Sequence, residues 1–333
     1  MSAERKRPEA PRTERVLPGV WRLRLPLPWP GVPHGNVWAV AAGDGIVLFD
    51  TGIGGRGRLR QFDLALAQAD FGLEDVRLVV CTHSHSDHYG LAAPIVEASG
   101  SELWMHPAWE HVRLLADDPA AALEQRIEIA RQSGVPAAAL ERYRERMEDG
   151  ETVIDAIVEP DRELLPGVEV ETDLGVWQVH ETPGHAPSHV VLHQPDRRLM
   201  ISGDHLLGRT VLFFDHGHSS DPVGEFLGSL DEVEPLEVDL VLPGHGRPFR
   251  DPEVKIAESR RQVDDLLAKV REALSDGEQT AFEIVGQIIG PENANSPASA
   301  WALQIVLSSL DHLAISGEVA AVEGADPRRW TLQ

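Results

Sequence analysis

The sequence contains a single cysteine, Cys81, among its 333 residues. One thiol excludes a disulfide within the chain and is typical of proteins from reducing compartments. Cys81 lies inside an apolar segment that predicts a strand, so we expect a buried packing role rather than a reactive one. On this basis we expect the protein to be cytoplasmic.

Long apolar runs are absent as well. No stretch approaches the length needed to span a bilayer, so we expect no contact with a membrane. The first 15 residues are charged and rich in proline, a composition that does not resemble a signal peptide. We expect residues 1–15 to form a disordered tail.

Basic residues are scarce relative to acidic ones. The chain has 30 Lys and Arg against 54 Asp and Glu, a formal net charge of -24. Such a surface repels phosphate backbones and acidic membranes, so nucleic acid is not an expected partner. A local basic groove inside the fold stays compatible with this balance.

Metal-ligand residues are concentrated in residues 81–90, Cys-Thr-His-Ser-His-Ser-Asp-His-Tyr-Gly. His83 and His85 alternate in an extended segment and therefore project to the same side. Asp87 and His88 follow where a helix is expected to start, which turns them toward the same point. Three imidazoles and a carboxylate suit a divalent cation such as zinc, with iron or manganese as alternatives. A histidine-rich surface turn is the competing interpretation.

Four further residues follow the same local pattern. A short apolar run precedes each of Asp50, His185, Asp204 and His245, and each of them sits beside a glycine or one residue from it. Glycine permits the tight turn that aims a side chain from the end of a strand. The sequence therefore predicts several polar side chains at strand ends.

These motifs, in this order, resemble the metallo-β-lactamase superfamily in its dinuclear His-x-His-x-Asp-His form. The resemblance spans roughly residues 16–250 and implies an α/β fold, namely an αββα sandwich. It also implies two metal ions, with zinc the expected metal. The ligands it implies are His83, His85 and His185 for the first ion, Asp87, His88 and His245 for the second, and Asp204 as the bridging carboxylate.

The resemblance further implies hydrolysis by a metal-bridging hydroxide. Asp87 is expected to act in catalysis, because it can orient the hydroxide and pass its proton toward the leaving group. Asp50 is expected to orient a ligand from behind rather than bind metal. His205, directly after Asp204, is expected to donate a hydrogen bond behind the site.

Four residues are expected to contact the substrate. The resemblance implies that His34 lies on the first hairpin loop, which would overhang the metals. Phe213 and Phe214 are expected to supply an apolar wall, and His216 belongs to the same loop. The substrate is expected to be a small molecule.

A helical segment at about residues 107–160 interrupts the alternation of strands and helices. Its apolar residues recur at helical spacing among Glu and Arg. Because it follows the first ligand loop, we expect it to form a lid or a wall of the substrate pocket. A brace packed away from the site is the alternative.

The last part of the chain, residues 254–333, reads as three helices followed by a two-strand ribbon. This order is typical of a winged helix and resembles the small C-terminal domain of one branch of the superfamily. From Lys255 onward there are seven basic and twelve acidic residues. We therefore expect a packing or homodimerisation element rather than a reader of nucleic acid.

Taken with the resemblance, these features predict a binuclear metal-dependent hydrolase of a small ester, thioester or lactone. A phosphodiesterase or endoribonuclease of the same fold is the alternative enzyme class. A metal-dependent sensor without catalytic activity is the third option. The sequence does not choose a substrate among the esters.

Overall fold

The computed structural model describes residues 10–29, 31–148, 153–293, 296 and 298–333. Its first sheet has seven strands in sequential order, antiparallel from the first to the fourth and parallel from the fourth to the seventh. The strands are β1 (Arg12–Leu17), β2 (Val20–Trp29), β3 (Val32–Ala42), β4 (Gly45–Phe49), β5 (Val76–Val80), β6 (Glu102–Met105) and β7 (Arg162–Glu163).

The second sheet has five strands in the order β12-β11-β10-β9-β8, with only the pair β11 and β12 parallel. Its strands are β8 (Glu169–Thr172), β9 (Gly175–Glu181), β10 (Val190–Gln194), β11 (Leu199–Gly203) and β12 (Leu240–Pro243). Trp38 and Phe49 of the first sheet pack with Trp177 and Ile201 of the second in one buried cluster. The two sheets therefore face each other across a shared core.

Helices cover the outer face of each sheet. The first sheet is covered by α1 (Arg58–Ala67) and α3 (Ala92–Ser99), and the second by α7 (Pro222–Val233). Asp221 caps α7 by accepting a hydrogen bond from the Gly224 amide, and Pro222 occupies the first helical turn, where its missing N–H costs nothing. The expected mixed α/β fold with two sheets between helices is confirmed.

The segment predicted to be helical at about residues 107–160 is largely helical from Pro107 to Glu148. It contains a 3₁₀ segment (Pro107–Val112) and the helices α4 (Arg113–Asp117), α5 (Pro119–Gln132) and α6 (Ala137–Glu148). Asp118 caps α5 through the Ala121 amide. Residues 153–161 return the chain to β7 in the first sheet.

The C-terminal part begins at Pro252 and packs onto the second sheet. Its elements are α8 (Pro252–Ser275), β13 (Gln279–Thr280), α9 (Ala281–Ile289), α10 (Ala298–Ile315), β14 (Val319–Ala321) and β15 (Arg329–Leu332). The three short strands form a sheet in the order β13-β15-β14. Side chains of α8, α9 and α10 share one buried cluster with α7, so these elements and the second sheet have a common core.

Helix α10 is apolar and 18 residues long, enough by length and composition to cross a membrane. The sequence analysis expected no segment of this length and composition, so it did not predict this property of α10. Leu303, Leu307 and Leu310 are buried against the neighbouring helices. Core packing therefore accounts for its apolar composition.

The expected disordered tail is wrong from Arg12 onward. Residues 1–9 lie outside the described part of the chain, but Arg12–Leu17 forms the edge strand β1. The Thr13 hydroxyl donates to the Ala65 carbonyl of α1 at 2.6 Å, and Glu14 pairs with Arg22 at 2.7 Å. Its order comes from contacts with distant residues, which the charged local sequence does not reveal.

Candidate metal centre

All seven predicted ligands converge on one edge of the two sheets. His83 and His85 lie on the loop after β5, and α2 (Ser86–Tyr89) turns the next two ligands back toward them. His185, Asp204 and His245 lie on the loops after β9, β11 and β12. The strands carry these loops to one place because they end at the same edge of the sandwich.

One group of three imidazoles consists of His83, His85 and His185. The Nδ1 atom of His85 lies 3.1 Å from His83 Nε2 and 3.1 Å from His185 Nε2. Burial, followed by the neighbouring imidazoles, lowers the pKa of His83 well below its usual value and lowers the pKa of His185 to about 3. These two imidazoles and that of His85 face one another, so their ring nitrogens are placed to bind a cation.

The second group combines Asp87, His88 and His245. His245 Nε2 lies 3.2 Å from Asp87 Oδ2 and 3.1 Å from Asp204 Oδ2. Asp204 also reaches toward the first group, with its Oδ2 3.7 Å from His185 Nε2. Its carboxylate therefore lies between the two groups of ligands.

Two buried atoms at the centre lack hydrogen-bond partners among the described residues, namely His88 Nε2 and Asp204 Oδ1, which lie 3.5 Å apart. Burial opposes protonation of His245, but the carboxylates of Asp204 and Asp87 outweigh it and raise its pKa to about 10. Protons on imidazoles thus offset the carboxylate charge. Divalent cations would supply the same positive charge and satisfy the orphaned atoms, so the donor set fits such cations.

Asp50 holds His88 from behind. His88 Nδ1 donates to Asp50 Oδ2 at 2.8 Å, which directs Nε2 into the centre. The other oxygen, Oδ1, accepts from the Thr82 amide at 2.7 Å and from the Thr82 hydroxyl at 2.9 Å. These contacts fix the tautomer and the orientation of the imidazole.

Asp215 orients His85 through a hydrogen bond, as Asp50 orients His88. The sequence analysis did not predict this role for Asp215. His85 Nε2 donates to Asp215 Oδ2 at 3.3 Å, leaving Nδ1 to face the other imidazoles. Burial opposes ionisation of Asp215, but the hydrogen bond and charge of His85 outweigh it and lower its pKa. His111 Nε2, 3.7 Å from the same oxygen, joins this network. The available signal was a carboxylate beside His216, a residue singled out for its imidazole.

A glycine is required directly before His245. A Cβ at Gly244 would collide with the Asp204 carboxylate and the His88 ring. The Gly244 carbonyl accepts from the Asn36 amide at 2.8 Å, which ties this loop to β3. Close packing of backbone against the ligands therefore depends on the missing side chain.

His205 was expected to donate behind Asp204, but its ring packs elsewhere. It lies against the Phe226 ring, with centroids 5.2 Å apart, and no hydrogen bond described for it reaches a ligand. The neighbouring His189 takes that position instead. Its Nε2 accepts from the Asp204 amide at 3.0 Å, and its Nδ1 contacts the Thr182 hydroxyl at 2.8 Å.

The four residues expected to contact the substrate divide into two groups. His34 and Phe213 line a cavity above the centre, and the Phe213 ring centroid is 5.7 Å from that of His85. The prediction is wrong for Phe214, which is fully buried against Phe226, because consecutive residues of an extended segment face opposite sides. His216 also lies outside the cavity lining, and it pairs with Asp311 of α10 at 3.0 Å.

The cavity has a volume of about 1420 Å³ and opens onto His85, Asp87, His185, Asp204 and His245. Side chains of α5, α6 and α10 contribute to its lining. The helical insertion is thus a wall of the cavity rather than a remote brace. About half of the other wall residues are aliphatic or aromatic, and these suit an apolar part of a ligand.

Comparison with known proteins gives four informative matches. The family model of the metallo-beta-lactamase superfamily matches residues 30–245. The probable metallo-hydrolase YqjP of Bacillus subtilis is 26% identical over 275 residues, 80% of this chain and 83% of that protein. Human acyl-coenzyme A thioesterase MBLAC2 is 28% identical over 225 residues, 64% and 74% of the two chains. The crystal structure of a beta-lactamase domain protein from Burkholderia ambifaria is 30% identical, with a TM-score of 0.82 over 96% of this chain and 94% of that one.

Proposed function

Because the chain belongs to the metallo-β-lactamase superfamily and is a metallo-hydrolase of that superfamily, we propose that it hydrolyses acyl thioesters at a centre of two zinc ions. The similarity to a human acyl-coenzyme A thioesterase supports the thioester class over other esters and lactones. The observation that carries the proposal is the large cavity, with many aliphatic and aromatic side chains in its lining, that opens directly onto the ligand groups.

The two groups of candidate ligands are the residues that would hold the metals. Bound zinc ions would polarise the scissile carbonyl oxygen and make water nucleophilic near neutral pH. His83, His85 and His185 would hold the first ion, Asp87, His88 and His245 the second, and Asp204 both.

Asp87 is the residue we assign to proton transfer. Its carboxylate borders the cavity, and although burial opposes ionisation, the charges of His88 and His245 lower its pKa. An ionised carboxylate at this position can accept a proton from water and pass it toward the departing sulfur. Thiols are acidic enough that this help is needed less than for an alcohol leaving group.

The cavity walls are assigned to the acyl chain. Phe213 lies beside the imidazoles of His85 and His185, with centroids 5.7 and 5.5 Å away, so it shields the reacting carbonyl from bulk water. Ile129 of α5 and Leu140 of α6 also line the cavity. Apolar walls of this kind favour an acyl chain over a polar acid.

The test compares substrate classes with one metal-loaded preparation. We expect acyl thioesters to give the highest kcat/KM among thioester, ester, lactone and single-stranded RNA substrates. His83→Ala removes a ligand and should abolish turnover of all of them. His180→Ala is the matched control, because His180 pairs with Glu232 at 2.9 Å and does not line the cavity.

Cleavage of a phosphodiester is the competing function. Arginines in the cavity lining favour it, since phosphates are their usual ligands. Efficient RNA cleavage that His83→Ala abolishes, together with negligible thioester turnover, would replace the thioesterase proposal.

For the C-terminal part we propose a winged-helix unit that serves packing within the chain. The order helix, strand, helix, helix, strand, strand supports this assignment. Its acidic balance argues against nucleic acid as its ligand. A cytoplasmic location and homodimerisation remain proposals, the first supported by the single cysteine.

A further inference from the structure

We infer that the cavity holds a second binding region, which takes the phosphate groups of the thiol part of the substrate. This inference rests on the proposed thioesterase function and names the class of thioester: one whose carrier is a phosphorylated nucleotide. The region is formed by five arginines of the cavity lining, called here the arginine set: Arg126, Arg142, Arg146, Arg209 and Arg247.

The charge of the cavity is opposite to that of the chain. The whole chain carries 54 acidic and 30 basic residues, yet eight arginines and only four carboxylates line the cavity. Asp87 and Asp204 face the imidazoles of the centre, and Asp215 holds His85. Glu14 pairs with Arg22. These four carboxylates are therefore engaged by groups outside the arginine set.

Arginines elsewhere on the protein find carboxylates readily. Arg77 pairs with Asp44 at 3.0 Å, and Arg260 pairs with Asp231 at 2.8 Å. Within the part of the chain that the structure describes, no member of the arginine set makes an ion pair or a guanidinium hydrogen bond. In so acidic a protein, five exposed arginines without partners on one cavity indicate a place for an external anion.

Helix α6 presents two of these charges together. Arg142 and Arg146 are four residues apart and both line the cavity, so they occupy one helical face. Like charges at this spacing are unfavourable until an anion lies between them. Glu145 lies three residues from Arg142, and at the same spacing Arg131 forms an ion pair with Glu128. Arg142 forms no such ion pair with Glu145.

The chemistry of the arginine set favours phosphate. A guanidinium group donates two parallel hydrogen bonds to a phosphate, and several such groups accommodate more than one phosphate. The aliphatic residues of the same cavity cannot donate hydrogen bonds to a phosphate, but they can pack against the acyl chain. One ligand that satisfies both is an acyl group joined through sulfur to a phosphorylated nucleotide.

RNA also carries phosphates, but the charge outside the cavity disfavours it. A polymer would have to run from the cavity over a surface that belongs to a chain of net charge -24. A small ligand places all its phosphates inside the cavity and avoids this repulsion. The structure therefore favours a small phosphorylated carrier over a polynucleotide.

The kinetic test uses one acyl group on two thiols, coenzyme A, which carries phosphates, and pantetheine, which carries none. For the metal-loaded Arg142→Ala/Arg146→Ala protein we expect the ratio of kcat/KM for acyl-coenzyme A to that for acyl-pantetheine to fall about tenfold or more, through KM. Arg142→Lys/Arg146→Lys should restore part of the ratio. Arg131→Ala is the matched control, because Arg131 pairs with Glu128 and Asp326 and does not line the cavity.

Calorimetry with coenzyme A itself provides a readout without turnover. We expect wild-type protein to bind coenzyme A more tightly than pantetheine, with an affinity that weakens as salt rises. The double alanine variant should lose this preference. Arg209→Ala provides a second variant in another part of the wall, should the first pair disturb α6.

The outcomes separate this inference from the proposed function. Equal use of both thioesters by wild-type protein would overturn the inference and leave the thioesterase standing. Arginine-dependent binding of coenzyme A without thioester turnover would support the anion site and overturn the thioesterase. Single-stranded RNA that binds more tightly than coenzyme A, and loses binding in the double variant, would assign the arginine set to nucleic acid and overturn the inference.

Discussion

Two of the candidate imidazole ligands are held by carboxylates that do not themselves face the centre. Asp50 accepts a hydrogen bond from His88, and Asp215 accepts one from His85. Each carboxylate decides which ring nitrogen carries the proton and so which nitrogen is free to bind a cation. The outer carboxylates thus prepare the imidazoles before any metal arrives.

Asp215→Asn tests this role at the level of one residue. The amide keeps the shape of the side chain but weakens the hydrogen bond to His85, so we expect metal affinity to fall about 10- to 100-fold. Titration against a competing chelator measures this change. Asp44→Asn, on an exposed carboxylate paired with Arg77, should leave the affinity unchanged. Equal affinity in all three proteins would show that Asp215 does not position His85.

At the scale of elements, the insertion determines the shape of the cavity. Helices α5 and α6 contribute apolar side chains to its lining, and α10 contributes Trp301. The Trp301 ring lies 6.1 Å from Phe213 and 6.5 Å from Trp29, so aromatic contacts join the C-terminal part to the mouth of the site. Elements far apart in sequence therefore enclose the same space.

Leu140→Ala/Tyr143→Ala tests the wall formed by α6. Both side chains line the cavity, and truncation removes apolar surface that an acyl chain would bury. We expect KM to rise about tenfold for long-chain thioesters and much less for short ones, with metal content unchanged. Glu145→Ala, on the same helix but outside the lining, is the control. A uniform rise for all chain lengths would contradict a role in acyl binding.

At the scale of the whole molecule, the candidate ligands join the two sheets. His83 and His85 follow a strand of the first sheet, whereas His185, Asp204 and His245 follow strands of the second. A bound cation would therefore cross-link the halves of the sandwich. Because such binding exists only in the folded state, it stabilises that state.

We expect metal loading to raise the melting temperature of the protein. We also expect elemental analysis of the loaded protein to find about two zinc equivalents per chain. At a free metal concentration of about a thousand times Kd, the stabilisation is about 4 kcal/mol. Scanning calorimetry with and without a chelator measures it, and Asp204→Ala should lose most of the increment. Full activity with a single equivalent would contradict the dinuclear proposal.

Local sequence was sufficient to predict many of the strands, most helices and the loops that carry the candidate ligands, but not the edge strand β1. The apolar runs before His83 and His245 predict strands, and the polar residue after each run must then lie at a strand end. The insertion helices were visible in their 3.6-residue periodicity. These predictions succeed because each depends on neighbours within a few residues.

The sequence by itself determined the ligand loops of this protein, since spacing and glycine placement are properties of a short stretch of chain. Only the tertiary structure decided that Asp215 holds His85, 130 residues away, and that Phe214 faces the core. The tertiary structure also places arginines from distant elements in the lining of one cavity, although the net charge of the whole chain is -24. Such contacts depend on how the two sheets and their helices pack, and local periodicity carries no information about distances between separate elements.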